Sequence, residues 1–289
     1  MEKPRLYKRR RVSGAETVEA WSGKDRGDEN FPVGSVLIRA DLRPHVHAFY
    51  AFARNADDIA DSKTLPPAEK IARLDLMEDV LLGRRETGSP SALRLRDSLA
   101  ATGVPSRHAT DLLIAFRQDA TKRRYASWDE LHEYCRFSAM PVGRHVLDLH
   151  GEDLATHPPS DALSASLQVL NHLQDCGRDL AELDRCYLPL DLLAAHAVSV
   201  DDLRRPAAVA GLRAVIDALL GRTEALNDDA AELPRRTHDR RLRVETAVIV
   251  GLAQRLARRL RRSDPLAARV RLTKSDAAAS VLAALRFAA

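Results

Sequence analysis

The stretch Gln168-Val-Leu-Asn171-His-Leu-Gln-Asp175-Cys-Gly-Arg178-Asp179 sets Asn171, Asp175 and Asp179 in an i, i+4, i+8 row. On an α-helix these residues stand above one another on one face, with Gln168 a turn before them. An amide followed by two carboxylates is a poor lining for an apolar core. It suits a site that holds a hard cation and the phosphate oxygens the cation bridges. A second acidic run, Arg54-Asn-Ala-Asp57-Asp58-Ile-Ala-Asp61, repeats the spacing. Asp57 and Asp61 share one helix face about 6 Å apart, with Asp58 beside them, and like charges so placed cost a helix a few tenths of a kcal/mol unless a cation lies between them. Alone, that run also fits a solvated helix face; the second row favours a shared metal site. The two rows lie more than a hundred residues apart, so a common site requires the intervening helices to pack as a bundle with both faces inward.

The rest of the chain supplies those helices. Asp41 is placed to cap a helix whose Pro44 lies in the tolerated first turn and whose Val46, Phe49, Tyr50 and Ala53 recur at helical spacing. Pro66 and Pro67 punctuate the chain. Ser127-Trp-Asp-Glu130 is a capping box, predicting one unbroken helix through Tyr134 and Val142 to about Gly151. Pro158 and Pro159 separate it from a helix expected over Leu163 to about Leu183. Further amphipathic stretches follow at Val209–Leu233, Arg241–Arg262 and Ser275–Phe287. No alternating strand pattern and no internal repeat competes. The reading is a single all-α domain, a helical bundle over residues 29–289, preceded by a basic, Gly-containing tail over residues 1–28 expected to be mobile.

Composition bounds the function. The chain has 289 residues, 45% of them apolar, enough for a substantial core. Its longest apolar stretches, such as Thr246–Ala253, fall short of the ~20 residues that cross a bilayer, and no signal-peptide core follows Met1. Cys135, Cys176 and Cys186 form neither a disulfide framework nor a C-x-x-C zinc pair. A cytoplasmic protein with reduced thiols is expected. Net charge is +4, and of 45 basic residues seven are lysine. The basic runs Lys8–Arg11 and Arg255–Arg271 are read as solvated faces, and no nucleic-acid partner is expected. Peripheral attachment to a membrane through the basic C-terminal helix is the alternative for the second run. No two of His45, His47, His145, His150 and His172 fall in a zinc-binding pattern, and no G-x-G-x-x-G or Walker loop indicates a nucleotide fold.

Three ordered motifs carry a resemblance. D-D-x-x-D follows Phe49-Tyr-Ala-Phe-Ala-Arg54. Tyr134-Cys-Arg-Phe-Ser-Ala-Met-Pro-Val-Gly143 lies between the acidic rows, and Arg185-Cys-Tyr-Leu-Pro189 follows the second. Together they resemble the squalene/phytoene synthases, which join or rearrange isoprenoid diphosphates head to head. The likeness is strong over about Glu29–Asp191 and looser beyond. Within the family, Glu29-Asn-Phe-Pro-Val33, Ser138-Ala-Met-Pro-Val-Gly-Arg144 and Gln174 before Asp175 are similar to the hydroxysqualene synthases of bacterial hopanoid biosynthesis. Many condensing members carry arginine at the position of Gln174, and often an acidic residue at that of Arg178.

The resemblance implies an isoprenoid-synthase bundle around a central apolar cavity, an isoprenoid diphosphate substrate, and Mg²⁺ held by Asp57, Asp61, Asn171, Asp175 and Asp179. On the hydroxysqualene branch it implies ionisation of presqualene diphosphate and capture of the cation by water, without NADPH. Arg54 is then a candidate phosphate contact, or else a structural partner of Asp57 or Asp58. Tyr134 either stabilises cationic carbon or is a buried, satisfied tyrosine. Phe31, Phe49 and Phe52 either line a hydrocarbon tunnel or pack the core. Gln168 and Asn171 continue the acidic row as functional amides, and Asp58 stands beside the metal site. Gly143 permits close helix approach or substrate passage, and Arg178 pairs with a phosphate or a neighbouring carboxylate. The nearest rival is a condensing or reductive synthase acting on farnesyl or geranylgeranyl diphosphate. A non-catalytic interaction protein on the same fold is more distant, because both acidic rows are intact.

Overall fold

The computed structural model of the protein describes residues 17–19 and 37–288. Among them stand twelve α-helices and no strand; an isolated bridge joins Arg124 to Cys186. The helices are α1 Arg43–Asp61, α2 Pro67–Leu81, α3 Pro90–Thr102, α4 Arg107–Asp119, α5 Trp128–Ser138 and α6 Met140–His150. They continue with α7 His157–Leu183, α8 Leu190–Ala195, α9 Ala210–Ala230, α10 Leu233–Arg236, α11 Arg240–Arg262 and α12 Lys274–Ala284.

Two apolar cores build the bundle. In the first, Phe52 and Ile59 of α1 meet Leu74 and Met77 of α2, Leu95 of α3 and Leu112 of α4. In the second, α7 runs through the centre and buries Leu163, Leu170, Leu173 and Leu180 among α5, α6, α9 and α11. The central cavity lies where α1 and α4 of the first group face α5, α6, α7 and α11 of the second.

Several helix ends differ from the sequence expectation, each for a local reason. Asp41 does not cap α1: the N-cap is Leu42, and the Asp41 carboxylate pairs with Arg39 at 2.6 Å in solvent. The helix expected over Ser127–Gly151 is two helices. Its capping serine holds, with Ser127 Oγ accepting from Glu130 N, but the chain bends at Ala139 (φ −128°, ψ −48°). Pro141, two residues on, has no N–H to give and sits in the first turn of α6. Pro158 and Pro159 do not precede α7; they lie in its first turn, where the missing N–H costs nothing. Gly151 ends α6 in the left-handed region (φ +70°) that favours glycine. Within the stretch expected to be a mobile tail, Thr17–Glu19 is docked on α3. Val18 N donates to Gly88 O at 2.9 Å, and Glu19 Oε1 accepts from Ser91 N at 2.7 Å and from the Ser89 and Ser91 hydroxyls. The remainder of residues 1–28 lies outside the described residues.

Gly143 is required by the α6–α7 contact. A Cβ there would stand 2.9 Å from Ser164 Oγ and closer still to Ser160 Oγ, both on α7. Gly143→Val is therefore expected to push α6 off α7 and cost about 1–3 kcal/mol of stability, the usual penalty for overpacking. Urea denaturation measures it; an unchanged midpoint would show that the two helices have slack.

Candidate functional site

A cavity of about 530 Å³ runs through the bundle, within the range of small-molecule sites. Its lining changes character along two helices. On α1 it passes from Val46, Phe49 and Ala53 to Arg54, Asp57 and Asp61; on α7, from Leu163 and Leu167 to Gln168, His172 and Asp179. Val46 and Asp61 are separated by about 22 Å at 1.5 Å per residue. Both helices bring their acids to their C-terminal ends. The cavity thus has an acidic end and an apolar body, the latter closed by Phe116, Val142, Val146, Leu242 and Ile249 from α4, α6 and α11.

The structure gathers most of the residues singled out in the sequence, but not all. Arg54, Asp57, Asp61, Asp179, Gln168, Tyr134, Phe49 and Gly143 line the cavity. Asp58, Asn171, Asp175, Arg178 and Phe52 do not, and Phe31 lies outside the described residues. Phe52 is fully buried in the first core. Phe49, one turn before it, belongs to the same core and also reaches the cavity wall. Asp58 is ion-paired with Arg54 at 3.2 Å, and Asp57 with the same guanidinium at 3.0 Å. Arg54 thus takes the role of structural partner while still reaching the cavity wall.

Asp175 faces a separate groove lined by Gln174, Gly177, Arg204 and Leu266. There it is held by Arg178 at 2.7 Å and by Arg269, from the segment after α11, at 3.1 Å. Arg178 therefore pairs with a neighbouring carboxylate. Gln174 donates to Val270 O at 2.6 Å, fixing that same segment against α7.

Four further residues of the site were not predicted as functional: Asp119, His172, Arg185 and Tyr187. Arg185 is buried and reaches three acceptors: Asp61 Oδ1 at 2.6 Å, Ala60 O at 3.2 Å and Asp119 O at 2.9 Å. Tyr134 donates its hydroxyl to Asp119 Oδ2 at 2.8 Å. Tyr134, Tyr187 and Tyr125 form one aromatic cluster, with His172 stacked on Tyr187 at 3.5 Å between centroids. Arg185 and Tyr187 fell inside a quoted motif without a periodicity to assign them. Asp119, at the end of α4, reads in sequence as an ordinary exposed C-terminal residue.

The electrostatics of the acidic end follow from burial. Burial pushes the Asp179 carboxyl up to about 7, with the charges of Asp175 and Asp61 adding to it and Arg178 and Arg185 opposing. Burial also raises Asp119 to about 6, against the pull of Arg185 and the Tyr134 hydrogen bond. Burial lowers His172 to about 3, so its ring is neutral. Among the described residues, no three His, Cys, Asp or Glu side chains stand close enough to hold a metal ion unaided. The cavity-lining carboxylates of Asp57, Asp61 and Asp179, the last without an ion pair among the described residues, nevertheless fit Mg²⁺, which takes one or two protein carboxylates and fills its octahedron from water and phosphate oxygens.

Comparison with known proteins places the chain. A family model described as squalene/phytoene synthase matches residues 24–276. A hydroxysqualene synthase of Rhodopseudomonas palustris is 50% identical over 254 residues, covering 88% of this chain and 87% of that protein. One from Zymomonas mobilis is 43% identical over 257 residues, covering 88% and 86%. A solved squalene synthase from Alicyclobacillus acidocaldarius superposes with a TM-score of 0.72 at 33% identity, over 82% of this chain and 90% of that one. A dehydrosqualene synthase shares the fold, with a TM-score of 0.76 at 20% identity over 90% and 92%. With its acid-ended, apolar cavity built from the same ordered motifs, the chain belongs to the squalene/phytoene synthase family.

Proposed function

We propose that the protein is a hydroxysqualene synthase, which ionises presqualene diphosphate, rearranges the carbocation and captures it with water to give hydroxysqualene and diphosphate. One observation carries the reading: Asp57, Asp61 and Asp179 stand together at the end of a cavity whose body is apolar. The relatives named hydroxysqualene synthase support it. Asp57, Asp61 and Asp179 would hold Mg²⁺, with Asp175 and Asn171 joining from the next turns of α7 once Asp175 leaves its arginines. Bound there, Mg²⁺ neutralises the charge that develops on the departing diphosphate. Arg54 and Arg185 place two guanidinium groups at the same end of the cavity, where they orient phosphate oxygens. Phe49, Leu163, Leu167 and Ile249 keep bulk water from the cation, and the Tyr134 and Tyr187 ring faces stabilise it.

Incubation with presqualene diphosphate and Mg²⁺, without NADPH, is expected to give hydroxysqualene by mass spectrometry. A C30 or C40 product from the allylic diphosphates alone would replace this reading with a condensing one. Asp57→Asn is expected to lower kcat on the order of 100-fold or more with unchanged helical circular dichroism; full activity would remove Asp57 from the metal site.

Metal-free stability gives an independent readout. Asp179, raised to about 7, binds a proton in the folded state that the unfolded state releases near the ordinary carboxylate value. Stability from this group therefore falls as pH rises through that window and stays low above about 7. Asp179→Asn carries no such loss. In chelator its unfolding free energy, from urea denaturation, is expected to exceed that of the wild type by a margin that grows from about pH 4 to about pH 7, to on the order of 1–4 kcal/mol, and to shrink when Mg²⁺ is added. A margin independent of pH would contradict the crowding of charge around Asp179.

No helix among the described residues is long and apolar enough to cross a membrane. The proposed setting is the cytoplasm, with peripheral contact to an anionic bilayer through α12. Val281, Leu282 and Leu285 are 48%, 71% and 54% exposed and share one face of the chain's last helical turns, while Ser280 and Ala284 pack on α11. The exposed Arg258, Arg262 and Arg286 supply the charge that meets anionic headgroups. Sedimentation with phosphatidylserine vesicles is expected to carry the wild type down, and a Leu282→Asp, Leu285→Asp double variant is expected to remain in solution. Equal sedimentation of both would exclude this face.

A further inference from the structure

Asp119 lines the cavity from α4, joined to Asp61 through the Arg185 guanidinium and turned with its carboxylate to the tyrosines. It closes α4 beneath the tyrosine cluster and is 4% exposed. Oδ2 accepts from the Tyr134 hydroxyl, while Oδ1 is buried and has no hydrogen-bond partner. Other buried cavity-lining atoms share that condition, and two of them belong to side chains that adjoin Asp119 or its tyrosines: His172 Nε2 and Arg185 Nε. Buried polar atoms without partners are rare, and a water that satisfies them needs two to four such groups and room to sit. Here a carboxylate oxygen, a neutral imidazole nitrogen and a guanidinium N–H belong to side chains around one tyrosine cluster in the cavity wall. Glu245, the buried carboxylate that α11 adds to the lining, has an interaction of its own but also one oxygen, Oε2, that is buried without a hydrogen-bond partner; what sets Asp119 apart is its bond to the Tyr134 hydroxyl.

We propose that Asp119 Oδ1 holds the water that captures the carbocation and accepts its proton. The proposal rests on the hydroxysqualene reading of the cavity. In the step, a lone pair of the water oxygen forms the new C–O bond to the cationic carbon. One water O–H bond breaks, its electron pair stays on oxygen as the alcohol, and the proton passes to the Asp119 carboxylate. The proton later leaves to solvent. With the C–O bond to diphosphate broken earlier, presqualene diphosphate and water become hydroxysqualene, diphosphate and a proton. No oxidant or reductant enters. Asp119 suits the role because a carboxyl raised to about 6 is still mostly ionised at neutral pH and is a stronger base than an ordinary one. His172, lowered to about 3, is a weaker base and serves to orient the water. Asp119 is thereby a catalytic residue distinct from those that release the diphosphate.

The test separates ionisation from capture. Wild type and Asp119→Asn are incubated with presqualene diphosphate and Mg²⁺, and both diphosphate release and the C30 products are measured. The variant is expected to keep diphosphate release within a few-fold, while the ratio of hydroxysqualene to hydrocarbons formed by proton loss falls about 10–100-fold, the share a general base commonly supplies. An unchanged product ratio overturns the proposal. If Asp119→Asn releases no diphosphate, Asp119→Glu decides. A restored carboxylate with hydroxysqualene as its main product supports the role; hydrocarbons as the main product, or no release in that variant either, make Asp119 structural and overturn it. Failure of the wild type itself to convert presqualene diphosphate would count against the hydroxysqualene reading instead.

Discussion

The buried guanidinium of Arg185 is the interaction on which the acidic end of the cavity depends. It joins the last turn of α1, through Asp61 and the Ala60 carbonyl, to the end of α4, through the Asp119 carbonyl. Lys70 Nζ reinforces the junction by donating to the same Ala60 carbonyl at 2.7 Å. Helix C-termini carry exposed carbonyls and partial negative charge, so a cation placed across two of them satisfies both. Arg185 belongs to the segment that follows α7, and it thus ties the first group of helices to the second across the cavity. Burial opposes its charge, but the Asp119 and Asp61 carboxylates outweigh that cost and keep it protonated. A buried cation stands only while its anions are in place, so the positions of Asp61, Asp119 and Arg185 are one geometric fact rather than three.

Charge balance around that junction is uneven, and the unevenness is informative. Asp57 and Asp58 face Arg54, Asp61 faces Arg185, and Asp175 faces Arg178 and Arg269. Asp179 has no ion pair among the described residues and lines the cavity. It is also the row member that burial and its acidic neighbours push furthest from ordinary carboxylate behaviour. The unmet negative charge of the two rows is therefore concentrated at one oxygen pair facing the chamber, where a divalent cation would gain most. Asp175, by contrast, is neutralised by an arginine that comes from 94 residues further along the chain, and its entry into a metal site requires that segment to let go.

The bundle was legible in the sequence because helical periodicity and proline placement are local signals. Both acidic rows were legible for the same reason: i, i+4 spacing fixes a face without knowledge of what faces it. What could not be read is what the third dimension supplies. The break between α5 and α6 falls at Ala139, two residues ahead of Pro141, and the proline by itself does not tell a kinked helix from one that ends and restarts. Phe49 and Phe52 look equivalent in sequence and both pack in the first core, yet only Phe49 also reaches the cavity. Asp119 gives no sign in its own neighbourhood, since Tyr134 and Arg185, which give it meaning, lie 15 and 66 residues away. Arg269 and its hold on Asp175 were invisible on the same ground.

Aromatic residues make up 4% of the chain, and three of its tyrosines stand at one cavity. Tyr50, Tyr134 and Tyr187 line the cavity, and Tyr125 stacks behind the last two at 5.2 and 5.5 Å between centroids. Burial holds the Tyr134 and Tyr187 hydroxyls well above their ordinary pKa, and the charge of Asp119 adds to the effect. Both are therefore neutral phenols whose ring faces present negative electrostatic potential without a phenolate oxygen. For a chamber that handles a carbocation the distinction is decisive, because a phenolate would bond to the cation and end the reaction on the protein. The proximity of Asp119 serves two purposes at once: it suppresses phenolate formation in the rings above it, and it keeps the strongest base of that region on an oxygen that a small nucleophile can reach.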